Sequence, residues 1–347
     1  MKQLFCDFRN TGSKTLKPEN VSFGVGSDEA IDAVLRCFCH PGQDRILTCP
    51  PTYGMYANSA QVNDLGIVKV PLAENNGFGL CPDAINKTLS ADSSIKVVYI
   101  ATPGNPTGNL IAKADIQQVL EHPTWNGVVV VDEAYIDFAP EKSSIAEWVT
   151  EWPNLIVMQT LSKAFGLAGV RLGASFSSPE ITQLLNNLKA PYNISTLTNA
   201  LACRALQSDS ISVMRRNRRE MWSQRDKLLA ELPSIAGVGK ILGGSSANFL
   251  LVQFLNKSAA EGGVPNNQVA MAVYEALARE KNVVVRFRGK EPGCLGCLRI
   301  TVGTKSEVDS FLGAIKSVLV EIYTRLRSKG QEMKEGKREQ EANDIVA

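Results

Sequence analysis

Three side chains of different chemistry fall at equivalent places in a repeating pattern of apolar runs and helical segments. Asn105 lies in Thr-Pro-Gly-Asn-Pro-Thr-Gly (102–108), directly after an apolar run ending at Ala101. Asp132 closes the run Val-Val-Val-Val (128–131), with Tyr135 three residues on. Lys163 lies in Thr-Leu-Ser-Lys-Ala-Phe-Gly (160–166), directly after the run 155–160. The first two are twenty-seven residues apart and the last two thirty-one, each about one strand plus one helix, so all three should emerge at one sheet edge. Taken singly, each has an ordinary explanation: an aspartate after a strand caps a helix, a lysine is solvated, and Asn-Pro-Thr-Gly is a good turn. Together, an amide, a carboxylate and an amine suit pyridoxal phosphate. Its aldehyde forms a Schiff base with a lysine amine. Its ring nitrogen must stay protonated, which a buried carboxylate at hydrogen-bond distance ensures. Its phenolic oxygen takes donors, which Asn105 and Tyr135 offer.

The phosphate of such a cofactor needs a cradle of its own. Gly-Val-Gly-Ser-Asp-Glu (24–29) follows a candidate strand and opens a candidate helix, where backbone N–H groups bind phosphate well. Ser27 offers a hydroxyl there and Asp28 a helix cap. A third glycine at the dinucleotide offset is missing, as is Gly-Lys-Ser/Thr, so neither a Rossmann nor a P-loop reading fits. Arg171, eight residues after Lys163 and beyond a glycine-containing turn, is placed to return a bidentate charge to the same phosphate, with Ser162 and Thr160. Pro-Thr-Tyr-Gly-Met-Tyr (51–56) offers Tyr53 as a face to stack on the ring, while Tyr56 reads as core or as an indirect contact.

The elements that must position these groups read as an α/β fold. Candidate strands are 21–24, 45–49, 66–72, 96–101, 127–131, 155–160 and 172–177, with helices such as 29–39, 53–62 and 113–121 between them. Consecutive apolar residues mark strands covered on both faces, hence a mostly parallel sheet flanked by helices. Residues 1–208 read as a large cofactor-binding domain and 209–233 as one bridging helix with a basic stretch at 215–219. Residues 234–325 read as a smaller α+β domain, with strands at 248–254, 283–287 and 298–302 and helices at 267–280 and 305–325. From 326 on, the sequence is polar and charge-mixed and reads as a disordered tail.

Composition narrows the field. With 44% hydrophobic and 21% charged residues the chain is globular. A net charge of +2 leaves no basic excess for a nucleic-acid surface. No apolar run spans a membrane and no leader is legible, so a cytoplasmic protein with reduced cysteines is expected. Two histidines and a lone Cys294-x-x-Cys297 argue against a metal centre.

Val-Gly-Ser-Asp-Glu-Ala-Ile-Asp (25–32), Pro-Thr-Tyr-Gly-Met-Tyr, Asn-Pro-Thr-Gly, Val-Asp-Glu-Ala-Tyr (131–135), Leu-Ser-Lys-Ala-Phe-Gly-Leu-Ala-Gly-Val-Arg-Leu-Gly (161–173) and Gly-Cys-Leu-Arg-Ile-Thr-Val-Gly-Thr (296–304) together resemble the class-II pyridoxal-phosphate aminotransferases. Within them, the match is to the histidinol-phosphate aminotransferase family, over about residues 20–325. The resemblance implies fold type I, a homodimer and Lys163 as the Schiff-base lysine, with Asp132 and Tyr135 as its catalytic companions. It implies Asp132 on the ring nitrogen, Asn105 and Tyr135 on the phenolic oxygen and Tyr53 stacked on the ring, with Ser27, Asp28, Thr160, Ser162 and Arg171 around the phosphate. It implies amino transfer between glutamate and imidazole-acetol phosphate in histidine biosynthesis. It also implies an N-terminal arm with a Tyr-Pro pair ahead of where this sequence begins, and the arm is expected to be missing here.

A site that alternately holds a dicarboxylate and a phosphate ester suits arginine, whose planar fork pairs with either. The candidates are Arg299 and, in Val-Val-Val-Arg-Phe-Arg (283–288), Arg286 and Arg288, which alternation puts on the same face; the resemblance implies Arg286. Two other readings stand beside the aminotransferase: a decarboxylase of a phosphorylated amino acid on the same fold, and a non-catalytic remnant that folds but holds cofactor poorly.

Overall fold

The computed structural model describes residues 1–346 except 11, 13 and 14, and for 327 and 329–346 the backbone alone. It divides into two compact units, Met1–Trp222 with Gly243–Leu250, and Ser223–Leu242 with Leu251–Ala347.

In the first unit the order is α1 (Lys2–Arg9), β1 (Val21–Gly24), α2 (Gly26–Phe38), β2 (Arg45–Thr48), α3 (Met55–Val62), β3 (Gly66–Lys69), α4 (Pro82–Ala91), β4 (Ile95–Ala101), α5 (Lys113–Leu120), β5 (Val128–Asp132), β6 (Leu155–Thr160), β7 (Gly173–Phe176), α6 (Pro179–Leu188), α7 (Thr196–Ala205) and the start of α8 (Ser208–Glu231). The strands form one seven-stranded sheet in the order β1-β7-β6-β5-β4-β2-β3. The mostly parallel expectation holds with one exception: β7 runs antiparallel to both β1 and β6.

The unbroken apolar runs have a direct packing cause. Along β4, β5 and β6, Val98, Ile100, Val129, Val131, Leu155 and Val157 enter one core layer. Their alternates Val97, Tyr99, Val128, Val130, Ile156 and Met158 enter the layer on the opposite face. With both faces covered, no position of the run is left for a polar residue.

Helix α1 is tied to this sheet by a polar chain. The Arg9 guanidinium pairs bidentately with Asp137 at 2.7 and 2.9 Å, and its Nε donates to Gln159 Oε1 at 2.6 Å. Gln159 Nε2 donates to Glu133 at 2.7 Å, and Glu133 also accepts from the Ser144 hydroxyl (2.6 Å) and the Ile145 N–H (2.7 Å). Burial pushes the Glu133 carboxyl above its usual range, and these donors and the Arg9 charge pull it back.

The second unit holds the rest of α8, then β8 (Val238–Leu242), β9 (Phe249–Phe254), α9 (Asn267–Glu280), β10 (Arg286–Phe287), β11 (Cys297–Thr301) and α10 (Lys305–Val346), its sheet ordered β10-β11-β9-β8. Two expectations change. The glycine-rich stretch 237–246 contains a strand, β8, and the strand expected at 283–287 shrinks to two residues because only Arg286 and Phe287 find partners on β11. The backbone of α10 continues helical through the segment expected to be a tail, 326–347; the side chains at 327 and 329–346 and the whole of residue 347 lie outside the described residues.

Candidate active site

The strand ends line up in register. Ala101 of β4 lies beside Asp132 of β5, Asp132 beside Met158 of β6, and Thr160 of β6 beside Gly173 of β7, which in turn faces Gly24 of β1. Loops leaving these ends therefore meet around one hollow of about 650 Å³, its open mouth included. Ser27, Asp28, Tyr53, Asn105, Asp132, Tyr135, Thr160, Ser162, Lys163 and Arg171 all line it, together with Tyr56.

Asp132 sits on the floor, 6% exposed. Its Oδ1 accepts from the Ala134 N–H at 3.0 Å and its Oδ2 from the Tyr56 hydroxyl at 2.7 Å. Burial raises its carboxyl above the usual range; the Tyr56 and Ala134 donors and the Lys163 charge oppose this, while Asp28 adds to it. Lys163 Nζ lies 5.3 Å from the centroid of the Tyr135 ring, and that ring packs edge-on against Phe249, 5.1 Å between centroids.

The other wall is the start of α2, where Ser27 and Asp28 lie in the first turn. Asp28 does not cap the helix as expected; its carboxylate accepts the Tyr53 hydroxyl at 3.1 Å. Burial, with Asp28 next, raises the Tyr53 phenol. Gly26 is needed here because its φ is +79° and a Cβ would lie 2.4 Å from Arg171 Nη2. Arg171, itself at φ 55°, donates from Nη1 to the Ala168 carbonyl at 3.2 Å. Thr160 Oγ1 is held by the Leu172 carbonyl at 2.8 Å and lies 2.9 Å from the Ser162 hydroxyl.

Tyr56, expected as core or an indirect contact, is both: it is fully buried and donates to Asp132. Sequence reasoning missed one support, the stretch 243–246, which clasps the loop carrying Asn105: the Gly244 and Ser246 N–H groups donate to the Thr107 and Gly108 carbonyls at 2.9 and 3.0 Å. A Cβ at Gly243 would lie 2.1 Å from the Thr107 oxygen, so the glycine pair was the legible signal.

Arg286 and Arg299 belong to the second unit. They stand directly opposite each other across β10 and β11, so both side chains leave the same face of that pair. Arg288 is taken by Glu291 at 3.0 Å, which distinguishes it from Arg286.

A lysine, a buried acid and an arginine thus line one hollow at the ends of a mostly parallel sheet, the architecture expected of an aminotransferase. The family model for aminotransferase class I and II matches residues 1–315. The histidinol-phosphate aminotransferase of Schizosaccharomyces pombe is 52% identical over 328 residues, 94% of this chain and 84% of that one. That of Saccharomyces cerevisiae is 44% identical over 312 residues, 89% and 78% of the two chains. The crystal structure of the Sinorhizobium meliloti histidinol-phosphate aminotransferase in complex with pyridoxal-5'-phosphate has the same fold, with a TM-score of 0.79 at 23% identity, covering 92% of this chain and 81% of that one. This chain belongs to the histidinol-phosphate aminotransferase family.

Proposed function

We propose that the chain transfers an amino group reversibly between glutamate and imidazole-acetol phosphate, giving 2-oxoglutarate and histidinol phosphate, with pyridoxal 5'-phosphate held in the hollow around Lys163. The observation that carries this reading is the convergence of Lys163, Asp132 and Arg171 on that one hollow. The residues suit the cofactor: a guanidinium lies where a Cβ on Gly26 would sit, hydroxyls of Ser27, Thr160 and Ser162 line the same cavity, and a carboxylate stands on its floor. Bound there, the cofactor supplies an aldehyde and an electron-accepting ring.

The protein's own groups divide the remaining work. Arg171, Ser27, Thr160, Ser162 and the first N–H groups of α2 bind the phosphate, with Asp28 fixing the Tyr53 hydroxyl at its edge. Tyr53 would cover one face of the cofactor's ring, Asn105 and Tyr135 would address its phenolic oxygen, and Asp132 would hold a proton on its ring nitrogen. Lys163 Nζ, the one amine lining the hollow, takes the proton from the substrate's α-carbon, a positioned acid–base role typically worth about 10²- to 10⁴-fold. Arg286 and Arg299 read the glutamate side chain in one direction and the substrate phosphate in the other.

The reading includes a homodimer in a cytoplasmic compartment. Exposed Tyr192, Leu197 and Leu201, close together in sequence, support the first, and eight free cysteines support the second. Among the described residues, no helix is long and apolar enough to cross a membrane and no cluster could hold a metal ion. The relatives do not favour a decarboxylase or a remnant.

The deciding experiment supplies purified chain with pyridoxal phosphate, glutamate and imidazole-acetol phosphate. One 2-oxoglutarate should form per histidinol phosphate. Carbon dioxide release without 2-oxoglutarate would overturn the assignment. A second expectation concerns the phosphate wall. Gly26→Ala should weaken pyridoxal-phosphate affinity by about tenfold, because the methyl group displaces Arg171 and the left-handed backbone costs about 1–2 kcal/mol. Fluorescence titration with the cofactor measures it, and unchanged affinity would remove Arg171 from the phosphate.

A further inference from the structure

Tyr56 carries no role in the reading above, yet it is closely held at the site. It is fully buried, and its ring lies flat on that of Tyr99, 4.6 Å between centroids and 8° between planes. The Tyr99 hydroxyl donates at 3.0 Å to the Ile31 carbonyl within α2, the helix whose first turn carries Ser27 and Asp28. Tyr53 closes edge-on against Tyr56 from the hollow side, 5.7 Å between centroids. Tyr56 thus has one polar atom, and that atom points at Asp132 Oδ2 at 2.7 Å.

We propose that Tyr56 is a positioning residue for Asp132: its hydroxyl fixes the carboxylate's orientation, and through Tyr99 and Ile31 it ties that carboxylate to the helix forming the phosphate wall. The proposal rests on the reading of Asp132 as the acid facing the cofactor's ring nitrogen. A hydrogen bond to a charged acceptor is among the stronger ones in proteins, and one made inside the fold need not be reorganised during the reaction. With Ala134 N–H on the other oxygen, both carboxylate oxygens are anchored while each keeps a lone pair for a ligand. Removing Tyr56's donor leaves burial less opposed, so the acid should bind its proton more tightly. The other groups facing Asp132 are Lys163, which favours the charged form, and Asp28, which disfavours it. Tyr53 and Tyr99 are neutral, burial holding both phenols above their usual range.

The test is Tyr56→Phe, which keeps the ring and its stacking and removes only the hydroxyl. In the full chain without cofactor, infrared titration follows the protonated-acid band that Asp132→Asn abolishes. Tyr56→Phe should raise its midpoint by about one pH unit, a tenfold gain in proton affinity. With pyridoxal phosphate and substrates, kcat should fall about tenfold while the KM for glutamate stays within about twofold. A lowered melting temperature with midpoint and kcat both unmoved would reduce Tyr56 to a structural residue and overturn the proposal. Should Tyr56→Phe fail to fold, Tyr99→Phe decides by the same two readouts: a smaller shift in the same direction supports the relay, and none refutes it. Were the unaltered chain to transfer no amino group, the functional reading would fall, while the infrared midpoint would still report whether Tyr56 governs Asp132.

Discussion

Lys163→Ala will abolish amino transfer, lowering kcat by about 10³-fold or more, and will leave the fold standing. The expectation follows from geometry. Lys163 supplies the one amine among the side chains lining the hollow, and it faces the Tyr135 ring at 5.3 Å with the Asp132 carboxylate on the same floor. No neighbouring base is placed to replace it: both histidines, His40 and His122, are absent from the lining. Loss of a positioned acid–base group alone removes about 10²- to 10⁴-fold, and loss of the covalent tether proposed for the cofactor would add to that. The fold should survive because Lys163 is exposed and holds no ion pair among the described residues. Steady-state kinetics of the purified variant, beside its circular-dichroism melt, measure both parts. Retention of half the activity would remove Lys163 from the chemistry.

Arg9→Ala should have the largest effect on stability, about 3–5 kcal/mol. Arg9 and Asp137 are each about one-tenth exposed, so deleting the guanidinium leaves a carboxylate nearly out of water. It also strips the donor from Gln159 Oε1, one step from buried Glu133. The pH dependence has a definite sign. Burial already holds the Glu133 carboxyl above its usual range and Arg9 pulls it down, so the variant's carboxyl rises further. A group raised on folding contributes stability below its unfolded pKa and loses it as pH rises through the folded value. The variant's deficit should therefore grow from acid toward neutral pH. Urea unfolding at several pH values tests this. Arg9→Met combined with Asp137→Leu should lose less than Arg9→Ala alone, because no uncompensated charge remains.

Much of the fold was legible because its signals are local. A strand buried on both faces is apolar at consecutive positions, so 128–131 and the first four residues of 155–160 declared themselves, as did the residues at their carboxyl ends. β8 was not legible, because glycines at 237, 239, 243 and 244 give the stretch the composition of a loop while pairing with β9 makes part of it a strand. The reach of 283–287 was overestimated for the converse reason: apolar residues promise a strand, and only available partners grant one.

Sequence by itself determined which chemistry the chain could hold: an amine, a carboxylate and an amide, each following an apolar run, and a guanidinium beyond a glycine-containing turn, with glycines where backbone must approach closely. Only the tertiary structure decided what stands behind them. That Tyr56 fixes Asp132, that Asp28 receives Tyr53 rather than capping α2, and that 243–246 clasps the Asn105 loop depend on contacts between distant segments. The physical reason is the difference in range. Burial pattern and turn chemistry are written in neighbouring residues, whereas a hydrogen bond between positions 56 and 132 exists only once the sheet has set their distance.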